Sequence, residues 1–533
     1  MHARARVAPA DQLEDGAALM ADTTLLTDNW SLARQSDVAP NRMKPNAAVE
    51  MLNWIPDVMS APLVVRQAWE FSYIANADFT YFSPSTTGIT GSNFAPFQDG
   101  NQLVFVDQSG RIMSLNTSGV GSLLDSGGLG TSQAGPGAFQ LDCFVLPGAD
   151  GAHFPWYVSS DGSGNASATA FVDPFPQARI AASWGAYLLM ANGGDFANGY
   201  TQNLRRLWFS DPGALTFTAA NDSYWDFPQV ARIMAVVPMA NTIIVFGPRD
   251  CHILTGDTPP PNDNLSYRPL YPYGLADYNA YGLWNGYIIF ANERGVFKTD
   301  GTSLVDLTET CFIGQAFRGD MQNFSDGWTC AVGIYQDWAL VTVTDGTVEK
   351  FTYVFDLNAE VAYNFSGFPT RMYAPVAAGP HASQVNAEQD LVFGLYATPQ
   401  AGRVQPVFAP GNAGSDANGV LIPFVLQTPY YEMGSLADKR IRRTYLTYKW
   451  YNNTGFNETP VIEYSIVDDP FTSPSWTAMT FPPASGGRQP VFVNNKGRWI
   501  SYRIRGGTST GVQNLALFGL EVEGHVKESS RSS

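Results

Sequence analysis

Five histidines, His2, His153, His252, His381 and His525, stand singly along the chain, with no H-E-x-x-H or H-x-H arrangement to gather a metal ion. Four cysteines, Cys143, Cys251, Cys311 and Cys330, lie far apart and none belongs to a C-x-x-C pair. Buried free thiols are expected, rather than a zinc site or a redox couple. A phosphate-cradling Walker loop and a G-x-G-x-x-G turn after a strand do not occur. With 48 Asp and Glu residues, a pair of carboxylates facing each other across a glycosidic bond is the catalytic arrangement that composition leaves open. The expectation is a chain that is not an enzyme and carries no cofactor and no metal.

The turn "SSDGSGNAS" (Ser159–Ser167) only loosely matches the S-x-D-x-G-x-T-W box of propeller sialidases, lacking its Gly, Thr and Trp in register. It reads as an Asp/Gly turn. Binding chemistry has better candidates. Arg440, Arg442 and Arg443 in "KRIRRTYLTYKW", with Arg503 and Arg505 in "GRWISYRIRG", lie on strand-like segments with one apolar and one charged face. Alternation places Trp499, Ser501, Arg503 and Arg505 on one side, and Ile500, Tyr502 and Ile504 on the other. These five arginines form either a solvated face or a docking surface for an acidic partner. Tyr267, Tyr271 and Tyr273 make the densest aromatic patch, in a segment that Pro269 and Pro272 hold extended. That patch suits packing between sheets, or alternatively a sugar-stacking groove.

The elements positioning these residues are strands. Thirteen per cent aromatics, 50 Gly and 35 Pro against 15% charged residues describe short strands joined by tight turns. One plan recurs, an apolar run, a polar turn and a second run, at Gln102–Leu115, Asn241–Gly256, Gly286–Gly301, Trp338–Leu357 and Asp390–Phe408. Weaker copies lie at Trp69–Pro84 and Ala186–Asp211. The last four hairpins begin about 45–55 residues apart, the spacing of four-stranded propeller blades. The expected fold is all-β, a β-propeller of six or seven blades with an appended C-terminal β-sandwich. An irregular pair of packed sheets is the alternative.

Charge is unevenly spread. Residues 1–437 hold 19 basic and 40 acidic residues, whereas 438–533 hold 12 and 8, so the net charge passes from −21 to +4. A division near Gly434–Asp438 follows. The expected parts are an N-terminal arm and extended connector (1–60), a propeller-like body (61–433) and a sandwich domain (434–533). Within the first, residues 1–27 read as a mobile or partner-ordered arm. The overall charge of −17 argues against general nucleic-acid binding, which needs clustered Lys and Arg. Asp11, Glu14 and Asp15 interrupt any apolar stretch near the start, so secretion by a signal peptide is not expected. The greasiest stretch, Val230–Pro248, is broken by Arg232, Pro238 and Asn241, and no membrane-spanning segment is expected.

Three strings are more specific than their composition: "RIAASWGAYLLMAN" (Arg179–Asn192), "RRLWFSDPGALTF" (Arg205–Phe217) and "IMAVVPMANTIIVFGPRDCHILTG" (Ile233–Gly256). In this order, followed far downstream by "GRWISYRIRG", they resemble the tail nozzle proteins of short-tailed bacteriophages, also called tail hub or packaged-DNA stabilisation proteins. The likeness covers roughly residues 179–300 and 437–524. It implies a non-enzymatic virion protein, assembled in the host cytoplasm as a ring, of six copies, below the portal and its adaptor. Implied partners are other copies of the chain, the portal-adaptor protein, tail spike, fibre or plug proteins, and double-stranded DNA that passes through the lumen without specific binding. Two rival functions remain at this level, a host-glycan-binding propeller adhesin and a propeller glycoside hydrolase.

Overall fold

In the computed structural model the described residues are 22–27, 34–35, 37–39, 42–44, 47–56, 63–65, 89–97, 100–107, 111–116, 121–125, 129, 137–148, 152–160, 166–172, 174–195, 199–218, 223–239, 241–261, 264–325, 327–345, 348–368, 370, 372–376, 390–394, 401–403, 423–432, 439–450, 460–480, 487–506 and 515–526. Among them, seven antiparallel meanders follow one another along the chain, over residues 89–125, 138–170, 177–226, 235–271, 281–306, 329–365 and 373–403. The first six have four strands and the seventh has three. The opening strand of the seventh, Tyr373–Val376, lies between those of the sixth and the first, Thr329–Tyr335 and Ile89–Phe97, so the ring closes. The fold is an all-β propeller carrying a β-sandwich, and among the described residues it has seven blades.

Every expected hairpin that falls on described residues supplies the second and third strands of a blade. In blade four these are Thr242–Phe246 and Cys251–Thr255, in blade five Tyr287–Asn292 and Gly295–Thr299. A blade's second strand is covered on both faces by neighbouring blades, so it appears in sequence as an unbroken apolar run. Val245, Phe290 and Val341 are fully buried for this reason, within one core continuous from blade three to blade six. The segment Trp69–Pro84 lies outside the described residues, and blade one is built from 89–125 instead.

Blades three, five and six share a device at the turn between their first two strands. Trp184 and Tyr187 flank one such turn with ring centroids 5.8 Å apart, Trp284 and Tyr287 a second at 6.0 Å, and Tyr335 and Trp338 a third at 6.0 Å. In blade five the turn residues Asn285 and Gly286 have φ of 46° and 81°, the left-handed pair that a two-residue hairpin of matching twist requires. Trp284 Nε1 donates to Asp337 Oδ1 of the blade-six turn at 3.1 Å, bracing the two blades. The seam between blades six and seven depends on Gly333, where a Cβ would come within 2.4 Å of the Tyr373 ring. Between blades five and six the chain forms two short helices, Leu307–Thr310 and Gly314–Met321.

The sandwich joins the propeller through the N-terminal segment. Strand Glu50–Leu52 pairs in parallel with the last strand of blade six, Leu52 opposite Asn364, and antiparallel with Phe424–Gln427 on its other side. Blade six thereby continues into Phe424–Gln427, Trp499–Gly506, Val461–Val467 and Thr477–Met479 as one ten-stranded sheet. Asn53 follows with φ of 56°, a conformation Asn tolerates. Its side-chain amide donates to Ser366 Oγ at 2.7 Å and to the Pro423 carbonyl at 2.5 Å, and its Oδ1 accepts from the Ser366 amide at 2.9 Å. Trp54 is fully buried, edge-on to Phe424 at 5.2 Å. Upstream, the Arg34 amide bonds the Ala362 carbonyl, and the Asp37 carboxylate accepts from the Gln315 amide at 2.9 and 3.0 Å. Asp37 thus caps the helix Gly314–Met321, whose own N-cap position, Ile313, offers no side-chain acceptor.

The facing layer holds Lys439–Trp450, Gly487–Gly497 and Leu515–Val526, with Trp54–Pro56, Leu63–Val65 and Asp22–Thr27 added along the last of these. Ile441, Leu446, Val491 and Val522 from this layer meet Ile462, Ile500, Tyr502 and Ile504 from the other in a second core. Strands from both sides of the expected boundaries therefore enter the sandwich, namely 22–27, 50–52, 54–56, 63–65, 424–427 and 431–432. Residues 22–27, expected as part of a mobile or partner-ordered arm, instead form a strand whose partner lies almost 500 residues away in sequence. Replacing Trp54 by Ala should cost about 3–5 kcal/mol, the usual loss for a buried aromatic, and lower the midpoint of urea unfolding followed by far-ultraviolet circular dichroism. An unchanged midpoint would show that the junction is not under load.

Candidate functional site

Of the five arginines expected on a solvated face or a docking surface, the three whose side chains are described, Arg443, Arg503 and Arg505, do not share one patch. Ile500, Tyr502 and Ile504 point into the sandwich core, as alternation predicts, which places Arg503 and Arg505 on the outer face of the ten-stranded sheet. Cross-strand register sets Arg503 opposite Glu463 and Arg505 opposite Val461. Both guanidinium groups close on the Glu463 carboxylate, Arg503 at 2.7 Å and Arg505 at 3.1 Å, and Arg503 also lies over the Trp476 ring at 4.5 Å. The Glu463 side chain is 8% exposed. Burial alone would push its carboxyl up, but the hydrogen bonds and charges of Arg505 and Arg503 outweigh burial and hold it below the ordinary glutamate value.

Arg443 sits on the opposite layer, exposed, with its guanidinium 5.2 Å from the ring of Phe492, itself 67% exposed. On the same face Arg488 stacks over Tyr445 at 3.7 Å and bonds Glu521 at 2.6 Å, while the Tyr445 hydroxyl donates to Glu523 at 2.7 Å. The side chains of Arg440 and Arg442 lie outside the described residues. Arg488 was not legible as a partner of this face, because its contacts depend on a register fixed between strands far apart in sequence.

Tyr271 and Tyr273 pack at the boundary of blades four and five, whereas Tyr267 faces Phe227 and Gln229 on the side of blade three. Tyr273 lies 4.7 Å from Phe297, and Tyr271 accepts a 3.3 Å hydrogen bond from Thr299. Tyr267 is stacked on His252 at 5.4 Å, and its hydroxyl is 2.7 Å from His252 Nδ1. Beside them opens a cavity of 360 Å³ lined by residues that include Gln229, Asp250, His252, Pro269, Tyr271 and Pro272. His252 is 3% exposed, and its Nε2 stands 3.6 Å from Asp250 Oδ2. Sequence spacing gave no hint of this pair, since a lone histidine carries no pattern.

Elsewhere the chemistry is structural. Asp195 and Asp226 both converge on Arg206 at 2.7 Å, and the guanidinium between them compensates both charges. Ser159 and Ser167 face each other across a hairpin with their hydroxyl oxygens 3.4 Å apart. All four cysteines are free, and burial, helped by nearby carboxylates, pushes the Cys311 thiol up to about 12. Among the described residues no cluster of three His, Cys, Asp or Glu side chains is placed to hold a metal, and no helix is long and apolar enough to cross a membrane.

No protein-family profile matches the sequence, and no curated protein matches it either. Similar solved structures include the AfRom2 CNH domain, at 8% identity and a TM-score of 0.35 over 61% of this chain and 96% of that one. BamB from Moraxella catarrhalis is similar at 12% identity and a TM-score of 0.33, over 60% of this chain and 85% of that one. Raptor from Chaetomium thermophilum is similar at 10% identity and a TM-score of 0.40, over 63% of this chain and 29% of that one. The fold assignment rests on the strand pairing itself.

Glu463 has a pKa lowered by folding, so its contribution to stability is complete above the unfolded value of about 4.3 and is lost as pH falls through the folded value. The urea midpoint should therefore drop on acidification below about pH 4, and Glu463→Gln should flatten that drop while lowering the midpoint at pH 7. Equal pH profiles for the two proteins would remove Glu463 from this role.

Proposed function

We propose that this chain is a structural virion protein, one subunit of the tail nozzle or hub ring of a short-tailed phage, below the portal and its adaptor. In this reading it forms part of the DNA ejection conduit and a platform for tail spikes or fibres, and it performs no catalysis. The observation that carries the reading is the junction through Glu50–Leu52, where blade six and the sandwich share one ten-stranded sheet. A wall segment that bears internal pressure needs such continuity, because a flexible hinge between its parts would let the lumen change shape. The residues that carry the sequence resemblance, 179–300 and 437–524, lie in blades three to five and in the sandwich.

Electrostatics support the same reading. Each Lys or Arg that neutralises a phosphate adds salt-sensitive affinity for DNA and hence friction. A net of −21 over residues 1–437 opposes that grip. The basic part, with Arg443 exposed beside Phe492, is suited to a protein neighbour at the ring interface or the adaptor. Closed cyclic symmetry, with six copies, makes such contacts heterologous, one face of each copy meeting a different face of the next.

Immunogold labelling of virions that carry this gene should place the chain at the single tail vertex beneath the capsid, and Arg443→Glu should lower its incorporation while leaving the isolated chain folded. Virions without the chain, or label spread over the capsid, would refute the assignment.

A further inference from the structure

At the seam of blades three and four, one tyrosine ring carries two arginines. The guanidinium of Arg179, from the first strand of blade three, lies over the Tyr278 ring at 3.9 Å, and that of Arg232, from the connection into blade four, lies 5.9 Å from the same centroid. Two like charges thus stand within about 10 Å of each other, a Debye length in dilute salt. Tyr278 is itself fixed, 5% exposed with its hydroxyl accepting from Asn192 Nδ2 at 3.2 Å, and the same amide bonds the Ile233 carbonyl beside Arg232 at 2.6 Å. A third arginine flanks them. Arg205 donates to the carbonyls of Pro228 and Ala231, both at 3.5 Å, so its guanidinium reaches the backbone that carries Arg232.

No carboxylate among the described residues answers this charge. Strand alternation turns Arg206, with its partners Asp195 and Asp226, toward Trp208 and Tyr224 on the blade-two side, whereas Arg205 shares the side of Leu207 and Phe209 that faces blade four. Asp277, next to Tyr278 in sequence, is buried with one oxygen on the Tyr278 amide and the other on that of Cys330. Among the described residues, the guanidinium groups of Arg179 and Arg232 make no ion pair and no hydrogen bond. Arg205 and Arg232 are exposed, and of the Arg179 nitrogens only Nε is sealed, so unspent N–H donors of the terminal nitrogens meet solvent.

Unspent donors on neighbouring guanidinium groups call for an anion, and their number selects among anions. A carboxylate offers one charge and two oxygens, which a single guanidinium fork saturates. A phosphate group offers a charge of about −1.5 to −2 and three acceptor oxygens, so it engages two or three guanidiniums at once. A nucleic-acid backbone brings the same chemistry, but it spans many Debye lengths and meets the acidic excess of residues 1–437 outside the site. We propose that Arg179 and Arg232, flanked by Arg205 and ordered by Tyr278, form a binding site for an isolated phosphate group at the seam of blades three and four. The site stands independently of the virion assignment.

The test is phosphorus NMR of inorganic phosphate and of glycerol phosphate, each titrated with the full chain at constant ionic strength. Both lines should broaden and shift, and Arg232→Ala, a change at an exposed side chain, should weaken the affinity about tenfold, as loss of a charge-assisted hydrogen bond implies. Arg179→Lys keeps the charge but neither the fork nor the stack, and should weaken binding in the same way. If that variant fails to fold by circular dichroism, Arg232→Ala decides alone. A short DNA duplex added as competitor separates the sources: displacement of phosphate more effective than that by glycerol phosphate would identify a nucleic-acid backbone, and less effective displacement a small phosphate compound; either supports the site. Lines unaffected by the chain, affinity unchanged in Arg232→Ala, or equal displacement by acetate would overturn it.

Discussion

Three residues, Glu50–Leu52, hold the architecture together by bonding a neighbour on each side. Blade six would otherwise end in an open edge, and so would the sandwich strand Phe424–Gln427. Open edges are templates for wrong pairing. Because the inserted strand is so short, its position is fixed by what surrounds it: Asn53 in a left-handed turn with its amide bonded to Ser366 and Pro423, and Trp54 against Phe424. The same segment also reaches the blade-five-to-six connection, where Asp37 completes the cap of a helix that has none of its own. These contacts join residues some 280 to 370 positions apart, so the junction can close only after both partners exist.

Charge follows the same division of labour. The acidic excess belongs to the propeller part, and the basic excess to the sandwich. Within the sandwich, however, the arginines are partly answered from inside the chain. Glu463 satisfies Arg503 and Arg505, and Glu521 satisfies Arg488. Among the described residues, Arg443 and Phe492 stand together on the other layer, cationic and apolar at once. Such pairs are common at protein interfaces, where Arg and aromatic residues are enriched.

The sequence made blades three to six legible because their second strands are buried on both faces and leave unbroken apolar runs between Gly-bearing turns. Alternation in Trp499–Gly506 correctly separated core from surface. It could not show that Glu463 stands opposite Arg503, since register is a property of two strands. The N-terminal strands were illegible for a related reason: DTTLLT and EML are too short to show a period, and tertiary pairing alone makes them strands. The helix Gly314–Met321 escaped notice because two glycines weaken its local propensity and its cap comes from Asp37. His252 and Asp250 are two residues apart, yet Tyr267 joins them only in the folded blade.

Native-state hydrogen exchange, resolved to peptides covering residues 47–56, blade six and Trp499–Gly506, tests the shared-sheet account most directly. If the inserted strand makes propeller and sandwich one body, the amides of all three regions should open with the same free energy and the same denaturant dependence. Exchange of 47–56 and the sandwich at a much lower opening energy than blade six would contradict it, showing two domains that merely touch.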